Sequence, residues 1–293
     1  MFRFGYNTNG LAHHRLIDAF ELLAELGYEG VALTPDVGEL DPLAPRREFV
    51  RELRRTAEHL GLEIVVETGA RFVLAPRRKH RPSLLEDSAG DRERRVDFYR
   101  RSIDLAEQLG AGLVSIWSGS APDAGPTTPT LVGDAPDADP RAVEPLWDRL
   151  VSGLLPVLDH ARDNGVRIAF EPEPGMFVER PVGYGELLRR LGTRGSELGL
   201  TLDVGHLLVT RDLPVGEQIR RWAPRLVHVH LDDIRGGVHE HRPFGEGDLD
   251  LAETLTALRD VRYGGMAAVE LSRDSHRGPQ VAAQAIQRLR STT

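Results

Sequence analysis

The sequence predicts a (β/α)8 barrel, one domain spanning residues 1–293. Three observations carry that expectation. One supersecondary unit recurs, an amphipathic helix, a glycine and then a β-branched strand: "FELLAELGYEGVAL" (20–33), "TAEHLGLEIVVE" (56–67), "LAEQLGAGLVSIW" (105–117) and "LDHARDNGVRIAFE" (158–171). The strands in these units are continuous apolar runs, the pattern of parallel strands covered on both faces. Eight such strands fit into 293 residues, about the length that eight βα units require. An open doubly wound sheet is the competing architecture, but no G-x-G-x-x-G follows the first strand to support it.

Taken in order, the first strand is expected at 2–6, within "MFRFGYNTNG". Strands two to five fall at 30–34, 63–67, 112–117 and 167–171, each shortly after a helix that ends at Gly27, Gly61, Gly110 or Gly165. A glycine there lets the chain turn left-handed out of the helix at little steric cost. The last three strands read as 199–203, 226–231 and 266–271, and "PQVAAQAIQRLR" (279–290) closes the chain as a helix. Two long segments interrupt the pattern, residues 68–92 and the Pro/Gly/Asp-rich stretch at 118–142. Both follow strands, so both belong to the C-terminal face of a barrel, where long loops serve as lids or binding walls.

Composition narrows the function classes. No run of eighteen apolar residues exists to cross a membrane. The N-terminal stretch lacks the apolar core of a signal peptide, so a cytoplasmic location is expected. There is no cysteine, hence neither disulfide nor thiolate chemistry. A net charge of −8, with "RRKHRP" (77–82) as the one basic block, disfavours a nucleic-acid backbone as partner while permitting a local basic pocket.

In a barrel the residue at the C-terminal end of each strand points into the site. Strand five ends in Glu171, strand six in Asp203 with His206 one turn later, strand seven contains His228 and His230, and strand eight ends in Glu270. A lone carboxylate at such a place is usually an ion pair or a helix cap. Two glutamates, an aspartate and a histidine converging from four successive strands instead suit a hard divalent cation such as Mn²⁺, Co²⁺ or Mg²⁺. His228 and His230 point the same way because side chains alternate along a strand, so one can coordinate while the other lines the pocket. Glu67, Arg71 and His80, from the third strand and its loop, are candidates to meet substrate hydroxyls or an anionic group. Trp117 reads equally as a platform for a sugar ring or as core, and Glu173, between prolines, as a pocket acid or an orienter of Glu171.

"FEPEPG", "LDVGH", "HVHLDD", "FGEGDLD" and "VELS", in that order, resemble the xylose isomerase-like superfamily of TIM barrels. That superfamily includes sugar-phosphate isomerases and epimerases, ketose 3-epimerases, inosose dehydratase and endonuclease IV. The resemblance covers most of the chain and is strongest over 165–271. It implies one metal held by Glu171, Asp203, His230 and Glu270, with Glu171 and Glu270 also moving protons as in the ketose epimerases. "VHEHRPFGEG" is similar to the endonuclease IV segment in which Asp-x-His precedes I-G-E-G; here the pair is His239-x-His241. With His206 these imidazoles imply a second, zinc-like metal site, or alternatively a set of contacts to substrate oxygens or an anionic group. Where the nuclease has further histidine ligands, this chain carries Glu67 and Trp117. An indole cannot ligate, so a three-metal phosphodiesterase site is incomplete.

The implied chemistry is proton transfer beside a carbonyl: an isomerase or epimerase on a sugar-like keto polyol, through a metal-stabilised enediolate. A dehydratase acting on a keto sugar or cyclitol, and an endonuclease IV-like phosphoester hydrolase, are the alternatives. The expected cofactor is thus a divalent metal (Mn²⁺, Co²⁺, Mg²⁺ or Zn²⁺), with a second ion open. The expected partner is a small sugar-like molecule, neither nucleic acid nor membrane, with homo-oligomerisation left open.

Overall fold

The computed structural model describes residues 2–35, 39–69, 71–122 and 131–292. The eight strands are β1 (Arg3–Asn7), β2 (Gly30–Leu33), β3 (Glu63–Glu67), β4 (Leu113–Ile116), β5 (Arg167–Phe170), β6 (Leu198–Asp203), β7 (Leu226–Leu231) and β8 (Met266–Val269). They pair in sequence order, all parallel, and β1 pairs with β8 to close a barrel. The helices among the described residues are α1 (Leu16–Leu26), α2 (Arg47–Leu60), α3 (Ala89–Leu109), α4 (Pro140–Asp163), α5 (Pro181–Leu191), α6 (Val204–Thr210), α7 (Val215–Trp222), α8 (Leu251–Asp260) and α9 (Gly278–Thr292). The chain is therefore a single (β/α)8 barrel. No helix of the described residues is long and apolar enough to cross a membrane.

Local chemistry explains the punctuation. Gly27, Gly61, Gly110 and Gly165 all adopt the expected left-handed turn, at φ 87°, 69°, 75° and 67°. Ser88 and Asp139 cap α3 and α4 by accepting from Asp91 N and Arg141 N, so these helices begin a few residues inside the predicted loops. Residue 70 and residues 123–130, inside the loops expected at 68–92 and 118–142, lie outside the described residues. The connection from β6 to β7 departs from the simple repeat: it holds two helices, α6 and α7, because Arg211 turns left-handed at φ 59° to end the first and Pro214 precedes the second.

The core divides in two. Between strands and helices lies a large apolar layer containing Phe20, Leu23, Phe98, Tyr99, Trp147 and Tyr184. Inside the barrel, Ala32, Val65, Leu113, Ala169, Met266 and Ala268 form a smaller plug. Toward the C-terminal strand ends the interior becomes polar, with Asn7, Glu67, Ser115, Thr201, Asp203, His228 and His230 all buried. Full burial of each large apolar side chain contributes about 1.5–3 kcal/mol, whereas an unpaired buried ion costs several. The outer layer can sustain a charged interior at one end, provided those charges find partners.

Candidate metal centre and substrate cavity

A cavity of about 690 Å³ opens at the C-terminal ends of the strands. Asn7 and Asn9 reach it from the end of β1, Thr34 from β2, Glu67 from β3, Trp117 from β4, and Glu171 and Glu173 from β5. His230 enters from β7, His239 and His241 from the loop after it, and Glu270, Ser272 and Arg273 from beyond β8. This follows the barrel rule that strand ends converge on one place.

The floor is an imidazole ringed by carboxylates. His230 Nδ1 lies 3.1 Å from Glu171 Oε1, 3.1 Å from Glu270 Oε2 and 3.7 Å from Asp203 Oδ2. One ligand atom from each of Glu171, Asp203, His230 and Glu270 falls within 4.8 Å of all the others. The opposite ring nitrogen, Nε2, donates to Glu67 Oε1 at 3.1 Å, which fixes the ring and leaves Nδ1 facing the carboxylates. Asp203 serves twice: Oδ1 caps α6 by accepting from His206 N at 2.9 Å, while buried Oδ2 has no hydrogen-bond partner. A buried oxygen without a donor, beside other carboxylates and a ring nitrogen, is what a hard divalent cation completes. The residues present fit such an ion, and Glu171, Asp203, His230 and Glu270 would hold it.

Electrostatics separates the carboxylates. Burial pushes Glu171 up to about 7, only partly countered by His230. Glu270 is buried too, but His241 and His230 outweigh that and bring it down to about 2. Burial, then Glu171 and Glu270, hold Glu173 well above the usual carboxylate range. For His230, burial works against the proton, yet Glu171, Glu67 and Glu270 overcome it and hold the ring well above an ordinary histidine. Without a cation the cluster retains protons in its place.

The loop after β7 brings a second group alongside. His206, His239 and His241 each offer a nitrogen within 4.8 Å of the other two, and His206 Nε2 and His239 Nε2 stand 3.1 Å apart. His206 Nδ1 donates to the Pro172 carbonyl at 3.2 Å and His241 Nδ1 donates to Asp232 Oδ2 at 2.8 Å, so both rings present Nε2 toward the shared space. Burial pushes His206 down to about 4 and also lowers His239, keeping lone pairs available there.

Two aspartates absent from the sequence-based site organise this loop. Asp232, fully buried, accepts from Gly205 N at 3.1 Å as well as from His241, and a Cβ at position 205 would collide with its carboxylate. Asp233, also fully buried, accepts from the backbone nitrogens of Ile234, Gly245, Gly247 and Leu249 at 2.8–3.0 Å. "FGEGDL" is thus wrapped on a carboxylate, and Gly247 leaves room for it, since a Cβ there would strike Asp233 and the Ile234 carbonyl. The signal was present in "HVHLDD" as two acids directly after a buried strand.

The remaining expectations divide. Arg71, His80, Trp117 and Glu173 line the cavity, with His80 and Trp117 in edge-to-face contact at 5.1 Å. Glu67 lies on the wall but is committed to the histidines, with Oε1 3.1 Å from His230 Nε2 and 2.9 Å from His228 Nε2. That second approach lacks hydrogen-bond geometry. His228 is fully buried and is no part of the cavity lining, which corrects its placement as a substrate contact. It shares the inward face of β7 with His230, but sits lower in the barrel, opposite Met266, not Ala268. Asn9, Thr34, Lys79 and Arg273 are cavity residues that the sequence reading missed. Reading the ends of β1 and β2, as was done for β5 to β8, would have found Asn9 and Thr34.

Known proteins place this architecture. An uncharacterized protein of Methanocaldococcus jannaschii is 23% identical over 273 residues, 92% of this chain and 83% of that protein. Inosose dehydratase of Lacticaseibacillus casei is 25% identical over 155 residues, 47% of this chain and 51% of its own, so the match spans about half of that enzyme. Among solved structures, a D-tagatose 3-epimerase-like protein superposes with TM-score 0.74 at 21% identity, covering 99% of both chains. The D-psicose 3-epimerase of Clostridium cellulolyticum H10, solved with D-tagatose, gives 0.73 at 17% identity, again covering 99% of both. At these identities the structural likeness is one of fold. The family model for the xylose isomerase-like TIM barrel matches residues 20–292, and the chain belongs to that family.

Proposed function

We propose that the protein is a divalent-metal-dependent epimerase or isomerase that moves a proton beside the carbonyl of a sugar-like keto polyol. One observation carries the reading. Glu171 Oε1 and Glu270 Oε2 approach the same atom, His230 Nδ1, at 3.1 Å each, yet their environments drive them apart, to about 7 and about 2. Two carboxyl groups at one place can act as a pair, one taking a proton from carbon and the other returning one. The ketose 3-epimerase structures that share this fold support the substrate class.

A divalent ion held by Glu171, Asp203, His230 and Glu270 would act as a Lewis acid toward a carbonyl oxygen and the negative charge that develops on it. The protein's own groups do the rest. Asn9 Nδ2 donates to Glu270 Oε1 at 2.8 Å and holds that carboxylate in place while it removes the proton from the carbon next to the carbonyl. Glu171 delivers a proton in turn: to the opposite face of the same carbon for epimerisation, or to the neighbouring carbon for isomerisation. Glu173, in the same cavity and held well above the usual carboxylate range, is a second acid; protonation of a departing β-hydroxyl by it would give a dehydratase instead. The partial match to inosose dehydratase favours that as the second reading. His206, His239 and His241 would hold a second ion or a substrate oxygen.

The test is solvent exchange. Metal-loaded protein in heavy water should incorporate deuterium beside the carbonyl of some member of a panel of keto sugars, sugar phosphates and keto-cyclitols. Glu171→Gln and Glu270→Gln should slow this by at least about 100-fold, in line with the loss of a general acid or base. Absence of exchange in every substrate, together with nicking of abasic DNA, would overturn the reading.

A further inference from the structure

The cavity has a second chemical end. Its buried floor is acidic, but its mouth carries Arg71, Lys79 and Arg273, all exposed. Lys79 is the sole lysine among 37 basic residues, in a chain whose net charge of −8 works against anionic ligands in general. Some arginines elsewhere are paired, for example Arg101 with Asp97 at 2.8 Å and Arg180 with Asp212 at 2.7 Å. What distinguishes the cavity cations is that three of them line one cavity. Among the described residues neither Arg71 nor Lys79 has a carboxylate oxygen within 4.0 Å, and Arg273 has only the 3.8 Å approach of Glu240. They also feel one another: burial, then Arg71 and Arg273, push the Lys79 ammonium down, with Glu173 opposing.

We propose that Arg71, Lys79 and Arg273 form an anion-holding subsite, so that the substrate is a keto polyol bearing a phosphate or carboxylate remote from its carbonyl. An anionic group there would relieve the repulsion among three cations and gain charge-assisted hydrogen bonds from them. The carbonyl would then lie toward the carboxylate floor of the same cavity, so the two ends fix the direction in which the molecule enters. The carbonyl half of this statement rests on the proton-transfer reading above; the anionic half rests on the cation cluster.

Two measurements separate those halves. In heavy water, a ketose is compared with its terminal phosphate and with the acid that replaces its terminal carbinol by a carboxylate. The anionic partner should exchange with kcat/KM at least tenfold above the neutral one. That ratio should fall at least tenfold in Lys79→Ala and in Arg71→Ala, and hold in Lys79→Arg. Equal kcat/KM for neutral and anionic partners overturns the subsite while leaving the proton-transfer reading intact. The second measurement needs no turnover. Because Lys79 is the only lysine, acylation by an amine reagent reports on that position, with the α-amino group as internal reference. Inorganic phosphate, or malonate in the carboxylate arm, should slow acylation of Lys79 at least fivefold relative to the α-amino group. Chloride at equal ionic strength should not. No protection by either anion, or equal protection by chloride, overturns the subsite even if no sugar exchanges at all.

Discussion

Glu171 and His230 hold protons in the absence of a cation, the first because burial raises it to about 7, the second because three carboxylates outweigh its burial. Metal uptake must therefore displace protons. Above pH 7 Glu171 is mostly ionised and competes little; as pH falls through 7 it gains a proton and affinity for the ion drops. His230 loses only the Nδ1 proton, because Nε2 stays donated to Glu67. Calorimetric titration with Mn²⁺ in two buffers of different ionisation enthalpy should show more protons released at pH 6 than at pH 8, because Glu171 takes up a proton between them. Uptake at pH 6 without proton release would remove both groups from the ligand set. At this scale the sequence was informative wherever chemistry sat at a strand end, as with Glu171, Asp203, His230 and Glu270. It marked the places of Asp232 and Asn9, an acid pair after β7 and the end of β1, but not their roles, which come from what they touch: Gly205 and His241 for the first, Glu270 for the second.

The loop that follows β7 has no helix or strand, only one isolated bridge between Asp233 and Arg242, yet it delivers His239 and His241 to the site. Asp233 substitutes for a hydrogen-bonded ladder by accepting four backbone N–H groups from residues 234–249. Asp233→Ala would leave those donors without a buried acceptor. Hydrogen bonds to charged groups contribute about 1.5–3 kcal/mol each, but the loop is partly exposed and water can replace some of them. The expected loss is therefore about 2–4 kcal/mol, seen as faster amide exchange at 234 and 245–249 ahead of the barrel strands. Unchanged exchange at those amides would show that the loop is held by something else. Among the elements, strand positions were legible to within a residue or two, because parallel strands buried on both faces announce themselves as apolar runs bounded by glycine. The division of the β6–β7 connection into α6 and α7 was not, since it depends on Arg211 turning left-handed inside a stretch that otherwise reads as helical.

For the whole molecule, the candidate metal centre joins residues from β5, β6, β7 and the end of β8, so an ion there ties half the barrel together. An ion that binds the folded state alone, at a hundred times its dissociation constant, adds about 2.7 kcal/mol. In a chain of this size that corresponds to a rise in Tm of roughly 4 °C. Thermal melts with Mn²⁺ and with chelator should differ by that amount, and Glu171→Gln should abolish the difference while Lys79→Arg retains it. An equal Tm under both conditions would mean that no structural ion is bound. Asp232 has a consequence of another kind. It fills the volume that a side chain at position 205 would need and anchors the ring at position 241, although these three positions sit on different segments of the chain. They fit as a set: a change at one leaves a misfit unless another changes with it. Grafting only the loop after β7 from a relative would import the aspartate's partner without its seat, so the unit of exchange between such barrels has to include the turn after β6 as well.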